Sequence, residues 1–439
     1  MKRFFVILGC IGISMGIRAQ QTTYTLEQCI DIALKNNLLV SQAENQAGRD
    51  EISRKQARLN MLPNLNASVN HGWFFGRSID NTTNSYVDNN FYSGSYNIGG
   101  DVALFRGGYL QNTARQLSMN AQASKMSWQQ QKDNITLNTI LAYLQFMNAQ
   151  DLLTQSISQA TLSEKQVKRL TVMDSSGAIK PSDLFDLQGQ YANDEASIIN
   201  AKRDVENSKI AICQNMNIPY DSSIVFERIA VPDLFEKVAT DANTAYHSAL
   251  ERFSQVKVAE FSLKSAEYGL KAARSQLYPS LSMGYGLGSN YAQSGGRLTD
   301  QLKNNSNKNI GLTLSIPIFN NLQARNNVKT AKLFLKDAQQ NDQATKTELQ
   351  QNIQTAYINM TAAYDRYKKL LERVTALQQS YQAAEARFNV GVWNSVEYLT
   401  VKTNLDRANI DLIGGRYEYL LRVKIYNYYQ GISPEEMKH

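Results

Sequence analysis

Histidine, cysteine and proline are scarce in this chain of 439 residues, and long apolar runs are missing beyond its first twenty positions. The three histidines, His71, His247 and His439, lie far apart in sequence and offer no metal set and no histidine-assisted nucleophile. Three cysteines, at 10, 29 and 213, are too few for a disulfide framework. Cys29 and Cys213 fall at helical positions and read as small buried residues, a bridge between them being the alternative. No later stretch reaches the roughly 18 apolar residues of a spanning helix. Any membrane insertion must therefore use strands, because lipid tolerates no unpaired backbone. The formal charge of +7 is spread without a Lys/Arg block, which argues against a nucleic-acid surface. No acid/base or metal-ligand spacing emerges, so neither an enzyme nor a cofactor is expected.

The first residues read as an export signal. Lys2-Arg3 form the charged start, Phe4 to Ile17 the apolar stretch, and Ile17-Arg18-Ala19 a cleavage site, giving a signal peptide over 1–19. The apolar stretch is too short to span a bilayer. Ile7-Leu8-Gly9-Cys10 resembles a lipoprotein box only faintly, since few apolar residues precede it.

What is present is duplication. Ala33-Leu34 and Pro63-Asn64-Leu65 recur as Ala249-Leu250 and Pro279-Ser280-Leu281. Further on, Ala142-Tyr143 matches Ala356-Tyr357, and Gly177 with Asp183-Leu184 matches Gly391 with Glu397-Tyr398. A register held this long marks one repeated architectural unit. The first repeat is expected over 20–217, a connector over 218–240, the second repeat over 241–431, and a tail over 432–439.

Within each unit the pattern runs helix, two strands, helical hairpin. Thr25-Leu26-Glu27-Gln28 has the form of a capping box, and the helix it opens is expected to reach about Met61 before Pro63. Strict alternation follows, over about 64–75 and 91–105 in the first copy, and 280–291 and 309–318 in the second. Leu281, Met283, Tyr285 and Leu287 alternate with Ser and Gly, as do Ile310, Leu312, Leu314 and Ile316 with small or polar residues. That is the signature of strands with one face on lipid and one on a polar lumen. Polar loops at 76–90 and 292–308 join each pair. The hairpins, over about 107–217 and 320–430, contain runs from Tyr109 to Ser176 and from Ile318 to Val390 without a single Gly or Pro. A helix of about 65 residues measures roughly 100 Å, more than a compact domain needs. Gly177 and Gly391 end these helices as left-handed caps, and Gly414-Gly415 predicts a break in the last return helix.

Four strands cannot close a barrel, and an open edge cannot face lipid. Two chains give eight strands with a filled interior, whereas three give twelve with room for a lumen. The expected fold is thus a mixed α+β membrane protein whose trimer joins a twelve-stranded barrel to a long α-helical barrel.

Taken in order, these segments resemble the TolC-type outer-membrane efflux channel family over essentially the whole chain after the signal. The carriers are Tyr24-Thr25-Leu26-Glu27-Gln28, Leu62-Pro63-Asn64-Leu65, Tyr278-Pro279-Ser280-Leu281, Leu104-Phe105-Arg106-Gly107-Gly108, Pro317-Ile318-Phe319-Asn320-Asn321 and, most specific, Arg387-Phe388-Asn389-Val390-Gly391 followed by Val396-Glu397-Tyr398-Leu399. The resemblance implies a homotrimer in outer-membrane lipid with a periplasmic helical extension, working as a passive exit conduit with a periplasmic adaptor and an inner-membrane transporter. It places Gly177, and Phe388, Asn389, Val390, Gly391, Val392 and Trp393, at hairpin tips that dock the adaptor. The first tip lacks the aromatic and valine of the second. The family's acidic ring is absent at its aligned positions, Lys168 and Gln382, leaving Asp174 and Glu385 as candidate gate acids. A dedicated protein-secretion conduit and an exported coiled-coil stalk protein are the alternatives; the cargo is not legible.

Overall fold

The computed structural model describes residues 23–80, 84–88, 90–229, 231–232, 234–293 and 296–433. The expected signal peptide and most of the tail lie outside the described residues.

A short strand β1 (Thr23–Tyr24) leads into α1 (Leu26–Asn36) and α2 (Leu38–Leu59). The wall strand β2 (Asn66–Phe74), a small ribbon of β3 (Ser78–Asp80) and β4 (Ser85–Val87), and the wall strand β5 (Phe91–Phe105) follow. The first hairpin is α3 (Tyr109–Ser175) and α4 (Pro181–Met216). After β6 (Val225–Phe226), the second copy runs α5 (Ala242–Arg252), α6 (Ser254–Ser275), β7 (Ser280–Ala292), α7 (Leu298–Asn304), β8 (Asn307–Ser315), α8 (Gln323–Asn389) and α9 (Ser395–Tyr429). The duplication is visible in the lengths: α1 and α5 each have 11 residues, α2 and α6 each 22, α3 and α8 each 67.

Four expectations are corrected. The opening helix is two helices, because Asn37 takes an extended backbone and its Oδ1 accepts from the amides of Leu39 and Val40, capping α2 afresh. Phe253, also extended but without a side-chain cap, separates α5 from α6. Conversely, α9 runs unbroken through Gly414-Gly415. A Cβ on Gly415 would come within 2.7 Å of the Leu370 side chain, so this glycine serves close packing of α9 on α8 rather than a kink. The two joining loops are not plain coil, since they carry the β3–β4 ribbon and α7. Finally, Ile316 lies one residue beyond β8, and a bulge between Ala103 and Phe105 takes Leu104 out of register, so that Phe105 pairs with Leu281.

The wall strands form one antiparallel sheet in the order β2-β5-β7-β8. Among the described residues β2 and β8 pair on one side only, leaving the sheet open at both edges. The helices repeat this order below: α2 packs on α3, α3 on α6, and α6 on α8. Further from the sheet, α4 and α9 return along α3 and α8.

The main core lies halfway down, where α1, α5 and the connector wrap the long helices. Within the connector, β6 pairs in parallel with β1. Tyr143 donates to the carbonyl of Glu227 at 2.5 Å, Tyr419 to Glu236 at 2.8 Å and Tyr426 to Thr240 at 2.9 Å, so hydroxyls from α3 and α9 lace the connector down. Cys29 and Cys213 are free thiols inside this core, and burial, aided by the neighbouring Cys213, pushes the Cys29 thiol up to about 12.

Candidate functional site

Register sorts the sheet into two chemistries. Residues that face each other across antiparallel strands share a side. Leu281 faces Leu314, Met283 faces Leu312 and Val102, Tyr285 faces Ile310, and Leu287 faces Ile98. This side is apolar and, in the single chain, bare: Ile310 is 78 %, Leu312 65 % and Leu314 61 % exposed. The other side pairs Ser282 with Thr313, Gly284 with Asp101 and Gly311, Asn97 with Ser68 and Gly288, and Ser95 with Asn70 and Asn290.

Toward the loop end the apolar side becomes aromatic. Tyr92 lies 5.6 Å from His71 and 5.9 Å from Tyr291, and His71 meets Trp73 edge-on at 5.1 Å. Amphipathic rings at one level are what a membrane–water boundary selects. Tyr285 lies across the sheet rather than straight out from it. Its hydroxyl donates to the carbonyl of Asn64, covering Gly100, where any Cβ would clash with that same carbonyl. Asn64 is pinned in turn: its amide donates to the Asp101 carbonyl at 3.1 Å and its Nδ2 to the Asp101 carboxylate at 2.8 Å.

At the opposite end of the molecule the hairpins turn on Gly177 (φ 68°) and Gly391 (φ 76°), a left-handed backbone that other residues adopt only with strain. The turns close by bonds from the amides of Ala178 to the Met173 carbonyl (2.9 Å) and of Val392 to the Arg387 carbonyl (3.0 Å). Val390 and Val392 are exposed, and Trp393 is half-buried beneath the Arg387 guanidinium, 5.2 Å from its ring centre. Phe388 departs from the expected surface patch. It is buried and stacks on Tyr398 at 4.6 Å, because a residue one turn before the cap points back into the hairpin core. Asn389 is tied to α3, where Arg169 donates to both its side-chain and main-chain oxygens.

The two candidate gate acids are not equivalent. Glu385 accepts from Tyr381 at 3.2 Å and from Gln166 at 3.4 Å, so its carboxylate is engaged within the chain. Asp174 is half-buried at the end of α3.

A polar cluster escapes sequence reasoning. Lys402 of α9, only 1 % exposed, donates to Asp406 at 2.6 Å and to Asp194 of α4 at 3.4 Å. Ser163 of α3 and Gln190 also donate to Asp194, at 2.5 and 2.8 Å. Nearer the tip, the Ser395 hydroxyl lies 2.7 Å from both Asp183 and Asp186. The Lys402–Asp406 pair, four apart on one helix, is legible in sequence; the partners on other helices, about two hundred residues away, are not.

Comparison with known proteins agrees with this geometry. Residues 245–424 match the family model described as "Outer membrane efflux protein". The chain is 24 % identical over 432 residues to the outer membrane protein TolC of Escherichia coli, covering 96 % of this chain and 85 % of that protein. Among solved structures, the CmeC outer membrane channel of Campylobacter jejuni superposes with a TM-score of 0.79 at 19 % identity, over 93 % of this chain and 86 % of that one. The open-state MtrE outer membrane channel of Neisseria gonorrhoeae gives 0.75 at 17 % identity, over 93 % and 90 %. With its duplicated sheet-and-hairpin unit and this likeness along nearly its full length, the chain is similar to the TolC-type outer-membrane efflux channels.

Proposed function

We propose that three copies of this chain form the outer-membrane exit channel of a tripartite efflux system, a passive conduit across the periplasm and outer membrane. The observation that carries the reading is the wall itself: a four-stranded sheet, apolar on one side and polar on the other, open at both edges, and continuous with helices roughly 100 Å long. In the antiparallel order β2-β5-β7-β8, the edge β8 of one chain can pair with β2 of the next, so three sheets close into twelve strands without an exposed edge. The bare apolar residues of the outer helices support the same closure. Leu38 and Ile52 on α2, and Leu333 on α8, are more than half exposed in the single chain on the helices that end the row. A soluble hairpin domain on a stalk would not leave Ile310, Leu312 and Leu314 uncovered.

Leu281, Met283, Tyr285, Leu287, Ile310, Leu312, Leu314 and Ile316 are assigned to lipid, and the β3–β4 ribbon and α7 to the cell surface, since barrels place their long connections outside. Tags inserted at Asp88 or Asp300 are expected to be reached by antibody on intact cells; labelling only after permeabilisation would invert the topology.

The tips at Gly177 and Gly391 are assigned to an adaptor that couples the channel to an inner-membrane transporter. Val390, Val392 and Trp393 present the apolar surface for it. Trp393→Ala leaves the glycine turn intact, so the variant should fold, insert and trimerise normally yet lose efflux and cross-linking to the adaptor. Normal export with retained cross-linking would reduce Trp393 to packing.

A further inference from the structure

Charge is distributed unevenly along the helical barrel. In each of α2, α3, α6 and α8, consider the eight residues nearest the sheet: 52–59, 109–116, 268–275 and 323–330. Together these segments hold eight Lys or Arg and no Asp or Glu. Arg54 and Lys55 share Glu51, a turn further from the sheet. Among the described residues Arg58, Arg115, Lys271, Arg274, Arg325 and Lys329 form no ion pair. Arg115 of α3 and Lys271 of α6 both lie against the ring of Tyr268, at 5.9 and 4.9 Å.

The ordinary reason for cations at a helix end is the macrodipole, and it accounts only for those of α2 and α6. Arg58 and Arg274 sit in the last turns of α2 and α6, where positive charge is favoured. The sheet-proximal ends of α3 and α8 are N-termini, where the same rule calls for acids. Their first turns contain none, no side chain caps them, and Arg325 is the third residue of α8. The chain itself supplies no acid to these two helix ends.

The register shows which way the two cations of α8 point. The Asn64 amide bonds to the Asp101 carbonyl while both side chains lie on the polar side. For L-residues this places β5 to the left of β2, viewed from the lipid side with the loops uppermost, and hence β8 and α8 furthest left. α8 descends with Ala324 and Val328 turned toward α6 on its right. A right-handed helix turns clockwise as it descends, so Arg325 and Lys329, each one residue and about 100° further on, face outward. They do so within about 10 Å of the start of the helix, directly below the lipid-facing band.

We propose that this collar binds the anionic phosphate headgroups of phospholipids in the membrane leaflet nearest the helical barrel. Charge complementarity and continuity with the apolar band both favour lipid: phosphodiesters lie where the band ends, and a juxtamembrane row of cations is the usual recognition element for them. The proposal rests on the channel reading, and the test separates the two. Wild-type trimer and an Arg115→Gln/Lys271→Gln/Arg325→Gln/Lys329→Gln variant are reconstituted in nanodiscs, where trimeric mass and single-channel conductance report on the channel alone. Each is then taken from mixed micelles of equimolar phosphatidylglycerol and phosphatidylcholine into native mass spectrometry. The wild type should retain phosphatidylglycerol over phosphatidylcholine by roughly fivefold, the variant by nearly none, and an Arg115→Lys/Arg325→Lys variant by about as much as wild type. Equal retention of both lipids by the wild type, or an undiminished preference in the glutamine variant, overturns the proposal. So does co-sedimentation with cell-wall sacculi that the variant loses while no lipid preference is seen, since the collar would then read a wall polymer.

Discussion

The Lys402 cluster shows how a single buried charge can organise a helical wall. An ammonium sealed between α9 and α4 is tolerable only because two carboxylates face it. Burial pushes the Asp406 carboxyl above the usual carboxylate range, with Lys402 pulling it back. Lys402→Met would leave Asp194 and Asp406 buried without their cation and should destabilise the chain by about 3–5 kcal/mol. Adding Asp194→Asn and Asp406→Asn should return much of that loss; thermal unfolding of the three proteins decides it. The adjacent glycines of α9 make a second test. A Cβ on Gly414 would meet only open space, so Gly414→Ala should raise stability by ~0.5–1 kcal/mol through helix propensity. Gly415→Val should cost about 1–3 kcal/mol, because the side chain would drive into Leu370. A kink at this pair would make both substitutions harmful.

Among the elements, α9 carries the largest share of buried tyrosine. Burial raises the hydroxyls of Tyr417, Tyr426 and Tyr428 above the ordinary value of 10, Tyr426 to about 12. The sign follows from linkage. A group whose folded pKa is raised contributes stability that is complete below its unfolded value and lost as pH climbs through the folded one. The half-way core should therefore hold to about pH 10 and weaken steadily above it, the Tyr426 contribution going by about pH 12. Absorbance at 295 nm followed alongside far-UV circular dichroism should show these tyrosines ionising only as the helices melt. Early ionisation with intact helices would mean that these hydroxyls are open to solvent.

For the whole molecule, closure is the decisive property. Detergent-solubilised protein should have the mass of three chains, and a stable monomer without detergent would contradict the barrel. Leu314→Arg should cost roughly 2–4 kcal/mol if that residue lies near the bilayer midplane, because an unpaired cation cannot remain in hydrocarbon. The measurement is the denaturant midpoint of folding into lipid vesicles, and an unchanged midpoint would remove Leu314 from the lipid face. Ile52→Asp on α2 should weaken the trimer while sparing secondary structure, since its side chain lies on an outer helix of the row.

Local chemistry by itself determined much of this protein. Alternation of apolar and small residues marked the four wall strands. The absence of Gly and Pro marked the long helices, Gly177 and Gly391 their ends, and the repeated register the duplication. All of these depend on backbone preference and on one-dimensional periodicity, which survive without knowledge of neighbours. Tertiary structure decided what depends on partners distant in sequence. Asn37 breaks a helix whose apolar pattern continues, because its own side chain supplies a better cap. Gly414-Gly415 does not break α9: Gly415 lies where a Cβ would meet the Leu370 side chain of α8, while Gly414 faces open space. Phe388 turned inward onto Tyr398, and Lys402 found Asp194 across 208 residues of chain, since helix rotation and inter-helix register are set by packing rather than by spacing along the sequence.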